Sequence, residues 1–322
     1  MVTSKKSNHI QILRGVAIIA VVLIHTIPGG LFQVFARPFL NFCVGLFLFL
    51  SGMLSDAKKW SPLKRIIKVV IPYLIWSLVY VVLNNIGDLS SVPWRYVTQT
   101  LQGRSEGMMY YIFVYCEFTL LMPLIDKLAR SKMKYLGFII TPVEILLVRT
   151  LPVIMGIEVH HYVGVIRDIS CLGWFTYFYL GYLMGNQLIT VKRSTKTLSI
   201  ALGVSVILQM AEGYMWFLMN SANSGSQMKI TTVLTGAIFV ILAYRFVHSE
   251  REFKCRPLAF LGDISFGIYF SHVAVIWLLN HIPYVSSLYF FPLSSIAVFL
   301  IDVILVFVGR KLLGKFGKYL AL

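Results

Sequence analysis

Ile10-Gln11-Ile12-Leu13-Arg14-Gly15-Val16-Ala17-Ile18-Ile19-Ala20-Val21-Val22-Leu23-Ile24-His25-Thr26-Ile27-Pro28 is an apolar run broken only by Gln11, Arg14 and His25 before it reaches Thr26. A helix rises 1.5 Å per residue, so ~20 such residues cross ~30 Å of hydrocarbon. The run therefore reads as a transmembrane helix. It is too long for a cleaved leader, has no small-x-small cleavage site, and is followed by more of the same. Comparable runs cover 38–55, 66–84, 109–126, 135–152, 169–188, 198–219, 230–247, 258–281 and 289–309. Composition agrees: 58% of the residues are hydrophobic and 13% are charged, about half the charge of a soluble domain. A soluble enzyme, a disordered chain and a coiled coil are excluded. The expected fold is all-α, a polytopic bundle of about ten transmembrane helices, with residues 1–322 forming one membrane domain and no appended soluble domain.

The net charge of +16 would suggest nucleic acid in a soluble protein. Here it is explained by topology. With a cytoplasmic N-terminus, 22 Lys and Arg fall on inner segments and six on outer loops, namely Arg37, Arg95, Arg104, Arg149, Arg167 and Lys229. Such an asymmetry sets orientation, so both termini are expected inside a multi-pass protein of the cell membrane, in contact with lipid and with no nucleic-acid partner. Cys43, Cys116, Cys171 and Cys255 are scattered with no C-x-x-C pair, which signals neither zinc nor a disulfide framework. No metal is expected. Gly181 to Gly185 forms a G-x-x-x-G, whose small residues let two helices approach closely.

Ionisable residues inside a membrane are costly and usually face a partner or a watery cavity. Arg14 and His25 are eleven residues apart. Eleven steps of 100° overshoot three full turns by ~20°, so both lie on one helix face, ~16 Å apart along the axis. Either they flank a ligand lying along the helix, or Arg14 snorkels and His25 bonds a neighbouring carbonyl. Arg65 and Lys68 share a face at i, i+3, where the third run enters from the cytoplasm. They suit phosphates or lipid headgroups. His272 lies fourteen residues into the ninth run and His25 fifteen into the first, which puts both at similar depth. Glu117, Glu144, Glu212 and Asp302 also fall within runs, and one of them could orient His25 or neutralise Arg14. His160, His161, Trp94 and Arg167 are either solvated outer-loop residues or glycan contacts.

Several motifs occur in a familiar order. Leu13-Arg14-Gly15-Val16-Ala17-Ile18 leading to His25 resembles the R-x10-H opening helix of the membrane acyltransferase 3 family. Phe47-Leu48-Phe49-Leu50-Ser51-Gly52 is similar to that family's F-h-h-h-S-G. Arg65-Ile66-Ile67-Lys68 followed by Ile71-Pro72-Tyr73 resembles its R-x-x-R…P-Y. Tyr179-Leu180-Gly181-Tyr182 and Ser265-Phe266-Gly267-Ile268-Tyr269-Phe270-Ser271-His272 match later patterns. The closest flavour is the surface-polysaccharide O-acyltransferase group. Two departures stand out. Lys68 replaces an Arg, turning a bidentate grip into a point charge. Met108-Met109-Tyr110-Tyr111 stands where the family often has H-h-W-F, keeping the aromatic character without the His.

The resemblance implies transfer of an acyl group, commonly acetyl, from cytoplasmic acyl-CoA to a hydroxyl of an envelope glycan or its lipid-linked precursor. It makes Arg14, Arg65 and Lys68 the holders of the CoA phosphates and His25 the base. Desolvation favours the neutral imidazole that a base requires. His272, Tyr110 and Tyr111 are then expected at the acceptor, and His272 could alternatively serve packing alone. A polar cavity open to the cytoplasm, floored by Arg14, Arg65 and Lys68 with His25 at its deep end, is the geometric expectation. A transporter or flippase of a glycan intermediate is the rival reading, since intramembrane charges suit transport paths too.

Overall fold

The computed structural model describes residues 4–283 and 290–322. In chain order the helices are α1 Ser4–Thr26, α2 Leu31–Ala36, α3 Phe42–Met53, α4 Pro62–Leu83, α5 Val92–Leu101, α6 Tyr110–Arg130, α7 Ile140–Glu144, α8 Leu151–Ile154, α9 His161–Ile169, α10 Phe175–Gly185, α11 Thr195–Leu218, α12 Ile230–Val247, α13 Arg256–Asp263, α14 Ser265–His281 and α15 Leu293–Leu313. Short 3-10 turns and one π-turn join several of them, and no strand occurs among the described residues.

The local causes are ordinary. Pro28 and Gly29-Gly30 stop α1, and Gly30 takes φ +62°, which a side chain would resist. Pro62 opens α4 at a position where its missing N–H is no loss. Ser194 caps α11 by accepting the Thr197 N–H at 3.0 Å.

Among the described residues five helical stretches are long and apolar enough to cross a membrane: Ser7–Thr26, Leu31–Met53, Pro62–Leu83, Thr195–Leu218 and Ala222–Val247. The sharply bent pair α13 and α14 makes a sixth if it counts as one span. The expected ten is not confirmed, and two of the expected runs are broken or short. The run 135–152 is cut into a 3-10 turn, α7, the π-turn Ile145–Thr150 and α8. The run 169–188 yields only the eleven residues of α10, ~16 Å of helix against ~30 Å of hydrocarbon. The described spans also start earlier than expected in two places. Leu31–Met53 takes in Arg37, and Ala222–Val247 takes in Lys229. Two cations expected in loops thus sit inside candidate spans.

The chain forms two compact units. The first comprises residues 1–57, 124–158 and 172–265. Glycines bring its backbones together. A Cβ on Gly52 would fall on the carbonyl of Phe178, and one on Gly181 on the carbonyl of Phe49, so α3 and α10 pack backbone to backbone. Gly15 against the Leu258 carbonyl and Gly262 against the Gln11 carbonyl do the same for α1 and α13. The packing role read from Gly181 and Gly185 is what these contacts require.

The second unit comprises residues 58–123, 159–171 and 266–322. Its core gathers Tyr73, Trp76, Tyr80, Met108, Met109, Ile112 and Phe270. The polar ends of the aromatics are satisfied inside it. Tyr80 donates to the Phe270 carbonyl at 2.5 Å and accepts from the Ala274 N–H at 3.1 Å, Trp76 donates to the Leu320 carbonyl at 3.1 Å, and Tyr73 donates to the Thr100 carbonyl. Buried Tyr and Trp normally find such partners.

Candidate active site

Arg14 and His25 belong to the first unit, and α1 is one continuous helix through both. The ~16 Å separation and shared face that their spacing predicts therefore apply. Arg14 is half-buried and makes no hydrogen bond or ion pair among the described residues. His25 is exposed in the last turn. That turn is held firmly: the Ile27 N–H bonds the Leu23 carbonyl at 2.9 Å, Thr26 Oγ1 donates to the Val22 carbonyl at 3.0 Å, and Arg37 donates to the Ile24 carbonyl at 2.9 Å. Carbonyls at a helix end lack intrahelical partners, and a cation there also favours the helix dipole.

The open cavity expected between Arg14 and His25 is not met along their shared face. Ile18 and Val21 project from the same face between them, ~40° and ~20° from Arg14 by the helical period. They are 0% and 4% exposed. Apolar packing fills the stripe that the charges suggested would be watery.

Arg65, Lys68, Tyr110, Tyr111 and His272 belong to the second unit. Arg65 is half-buried and Lys68 exposed, one turn apart at the start of α4. Tyr110 and Tyr111 open α6, and the Tyr111 ring lies 5.6 Å from that of Tyr269 on α14. Three residues further along α14, His272 is 0% exposed, its Nδ1 2.9 Å from the Ile268 carbonyl. A carbonyl only accepts, so Nδ1 carries the proton and Nε2 is the basic nitrogen. The i−4 bond itself is no sign of catalysis, because exposed His248 and His281 make it too, to Tyr244 and Trp277. The helix that carries His272 is shorter than the ninth run. Counted from Ser265, where α14 starts, His272 is seven residues in, ~10 Å, because the ninth run is not one straight helix.

The intramembrane carboxylates have partners of their own. In the second unit Glu117 accepts the Cys171 N–H at 2.6 Å, and buried Asp302 accepts from Ser271. In the first, Glu144 pairs with Arg149 at 3.0 Å, and Glu212 accepts from the Thr231 N–H at 3.0 Å. Arg104 and Arg167 of the second unit both hold Asp168 at 3.0 Å. Among the described residues no cluster of His, Cys, Asp and Glu is arranged to hold a metal ion. Sequence reasoning passed over Arg37 and Lys229 as loop residues. Reading 31–53 and 222–247 as continuous apolar segments would have placed both inside.

No curated protein and no solved structure matches the chain. A family model described as an acyltransferase domain matches residues 8–309. The span of the match includes the Arg14–His25 helix and every motif quoted above, and it favours group transfer over the transport reading. The chain belongs to the membrane acyltransferase 3 family and is an acyltransferase.

Proposed function

We propose that this enzyme moves an acyl group, acetyl in the first instance, from cytoplasmic acyl-CoA to a hydroxyl of a cell-envelope glycan or its lipid-linked precursor, in the cell membrane. The observation that carries the reading is Arg14, a half-buried cation without a protein partner, on the same face of one continuous helix as His25. Intramembrane charges generally serve a partner or a path, and a CoA phosphate is a partner of the right sign. In the second unit Arg65 and Lys68 set two cations one turn apart on α4, a pair suited to phosphates.

In this reading His25 takes the proton from the acceptor hydroxyl as its oxygen attacks the thioester carbonyl. The carbon–sulfur bond breaks, and the proton passes to the departing CoA thiolate. The exposure of His25 suits an acceptor arriving from the outer side. In the second unit, His272, Tyr110 and Tyr111 are the groups proposed to bind sugar. The packed Ile18 and Val21 mean that the donor arm reaches His25 only after these side chains yield or by another flank of α1. The test is the envelope glycan itself, compared by mass in cells with the wild-type gene, without it and with His25→Ala. Loss of one acyl ester in the latter two supports the reading. Loss of the whole glycan without the gene points to transport instead.

A further inference from the structure

Two cations of the first unit have donors left over. Lys229 is 2% exposed, and its ammonium makes one hydrogen bond, 2.8 Å to the Ser224 carbonyl, out of three it could make. Arg37 spends one N–H on the Ile24 carbonyl, while its buried Nε has no partner. Both stand beside one turn: Gln33, one helical turn before Arg37, donates to the Ser224 hydroxyl at 3.2 Å, and Lys229 donates to the Ser224 carbonyl. Glu212 adjoins Gly213, whose Cβ position is 3.2 Å from the Lys229 ammonium, but its carboxylate is engaged by the Thr231 N–H, the Thr231 hydroxyl and, at 3.4 Å, the Trp216 Nε1. It forms no ion pair with either cation among the described residues.

Neutral groups on the adjoining segments are unspent as well. Asn41, 2% exposed, gives its amide N–H at 3.4 Å to Ser226, in the turn Lys229 also binds, and its Oδ1 has no partner. Gln209, 0% exposed, leaves both amide atoms unpaired. It lies one helical turn before Gly213, whose Cβ position is 3.2 Å from the Lys229 ammonium. Thr232, 1% exposed and three residues after Lys229, has an unpaired hydroxyl.

Buried charges are normally paired, and buried polar groups hydrogen-bonded. Two under-used cations inside candidate spans, with unpaired donors and acceptors on the adjoining segments, are the complement of an oxyanion. We infer that Arg37 and Lys229 form an oxyanion-binding site in the first unit, which receives a phosphate or carboxylate of the acyl acceptor. That the ligand is the acyl acceptor rests on the acyl-transfer reading; anion binding at the site does not. The donor is held elsewhere, because Arg14 is ~16 Å along α1 from His25, whereas Arg37 grips the residue next to His25. An anionic group bound there brings a neighbouring hydroxyl toward the imidazole. The acceptor class is therefore a phosphorylated, lipid-linked sugar or an acidic sugar.

The test uses the purified full-length protein in detergent. Thermal unfolding is followed with inorganic phosphate, pyrophosphate or glucuronate, each against chloride at matched ionic strength. At least one of these oxyanions should raise Tm saturably, and Arg37→Gln and Lys229→Met should each weaken the apparent affinity tenfold or more. The Tm shift given by CoA should be unchanged in both. A response to phosphate or pyrophosphate alone identifies a phosphate, and one to glucuronate alone a carboxylate. No shift beyond chloride, or a shift unaltered in both variants, overturns the site. If Lys229→Met does not fold, Arg37→Gln carries the loss and Lys229→Arg must retain binding. Acyl transfer from acetyl-CoA, assayed on the same preparations, separates the two claims. Variant-sensitive anion binding without any transfer keeps the site and removes the proposed function. Transfer whose acceptor KM ignores both substitutions keeps the function and removes the inference.

Discussion

Replacing Arg14 with Gln separates a ligand-binding cation from a structural one. Arg14 is half-buried and makes no hydrogen bond or ion pair among the described residues. Its removal therefore leaves no carboxylate stranded, and the unliganded protein should lose no more than ~0.5 kcal/mol of stability, as for an ordinary surface change. Binding of CoA should respond very differently. A hydrogen bond to a charged group contributes ~1.5–3 kcal/mol, so losing one phosphate contact should weaken CoA binding by about ten- to 150-fold. Isothermal titration of CoA into the purified protein measures the second effect, and a melt without CoA measures the first. Unchanged CoA affinity would return Arg14 to a lipid-anchoring role. A large fall in the melting temperature of the unliganded protein would show that it holds the fold.

Arg65→Ala should weaken CoA binding on the order of tenfold, and Lys68→Arg should be tolerated or mildly improve it by restoring a bidentate donor; the same titration reads both. Gly181→Ala should destabilise by roughly 1–3 kcal/mol or more, because its Cβ would meet the Phe49 carbonyl on backbone that cannot move aside; the melting temperature reports it. Glu144→Gln should cost about 3 kcal/mol or more, since it removes the charge that Arg149 pairs with, with the two side chains only 8% and 13% exposed. A melting temperature equal to the wild type would remove that pair from any account of the fold.

The helical membrane fold was legible because apolar runs of membrane length survive any detail of packing. The continuity of each run was not. Hydropathy reads composition over a window and is blind to backbone continuity, so it passed over the breaks between Lys134 and Ile154 and the short reach of α10. The same blindness set Arg37 and Lys229 outside the candidate spans that include them. On α1 the periodicity correctly put Arg14 and His25 on one face of a single helix. It could not show that Ile18 and Val21 on that face are packed, because their burial comes from neighbouring helices distant in sequence. Motifs marked the family for a related reason: residues such as Arg14, His25 and Pro72 stand in fixed order along the chain, whatever surrounds them in space.

The central claim is that His25 is the base of an acyl transfer from acyl-CoA. Its most direct test follows labelled acetyl from acetyl-CoA into envelope glycan, using membranes that hold equal amounts of wild-type or His25→Ala protein. General-base catalysis contributes about 10²–10⁴-fold, so the variant should fall by that factor while inserting normally, as the apolar spans are untouched. Transfer at a rate near that of the wild type would contradict the account.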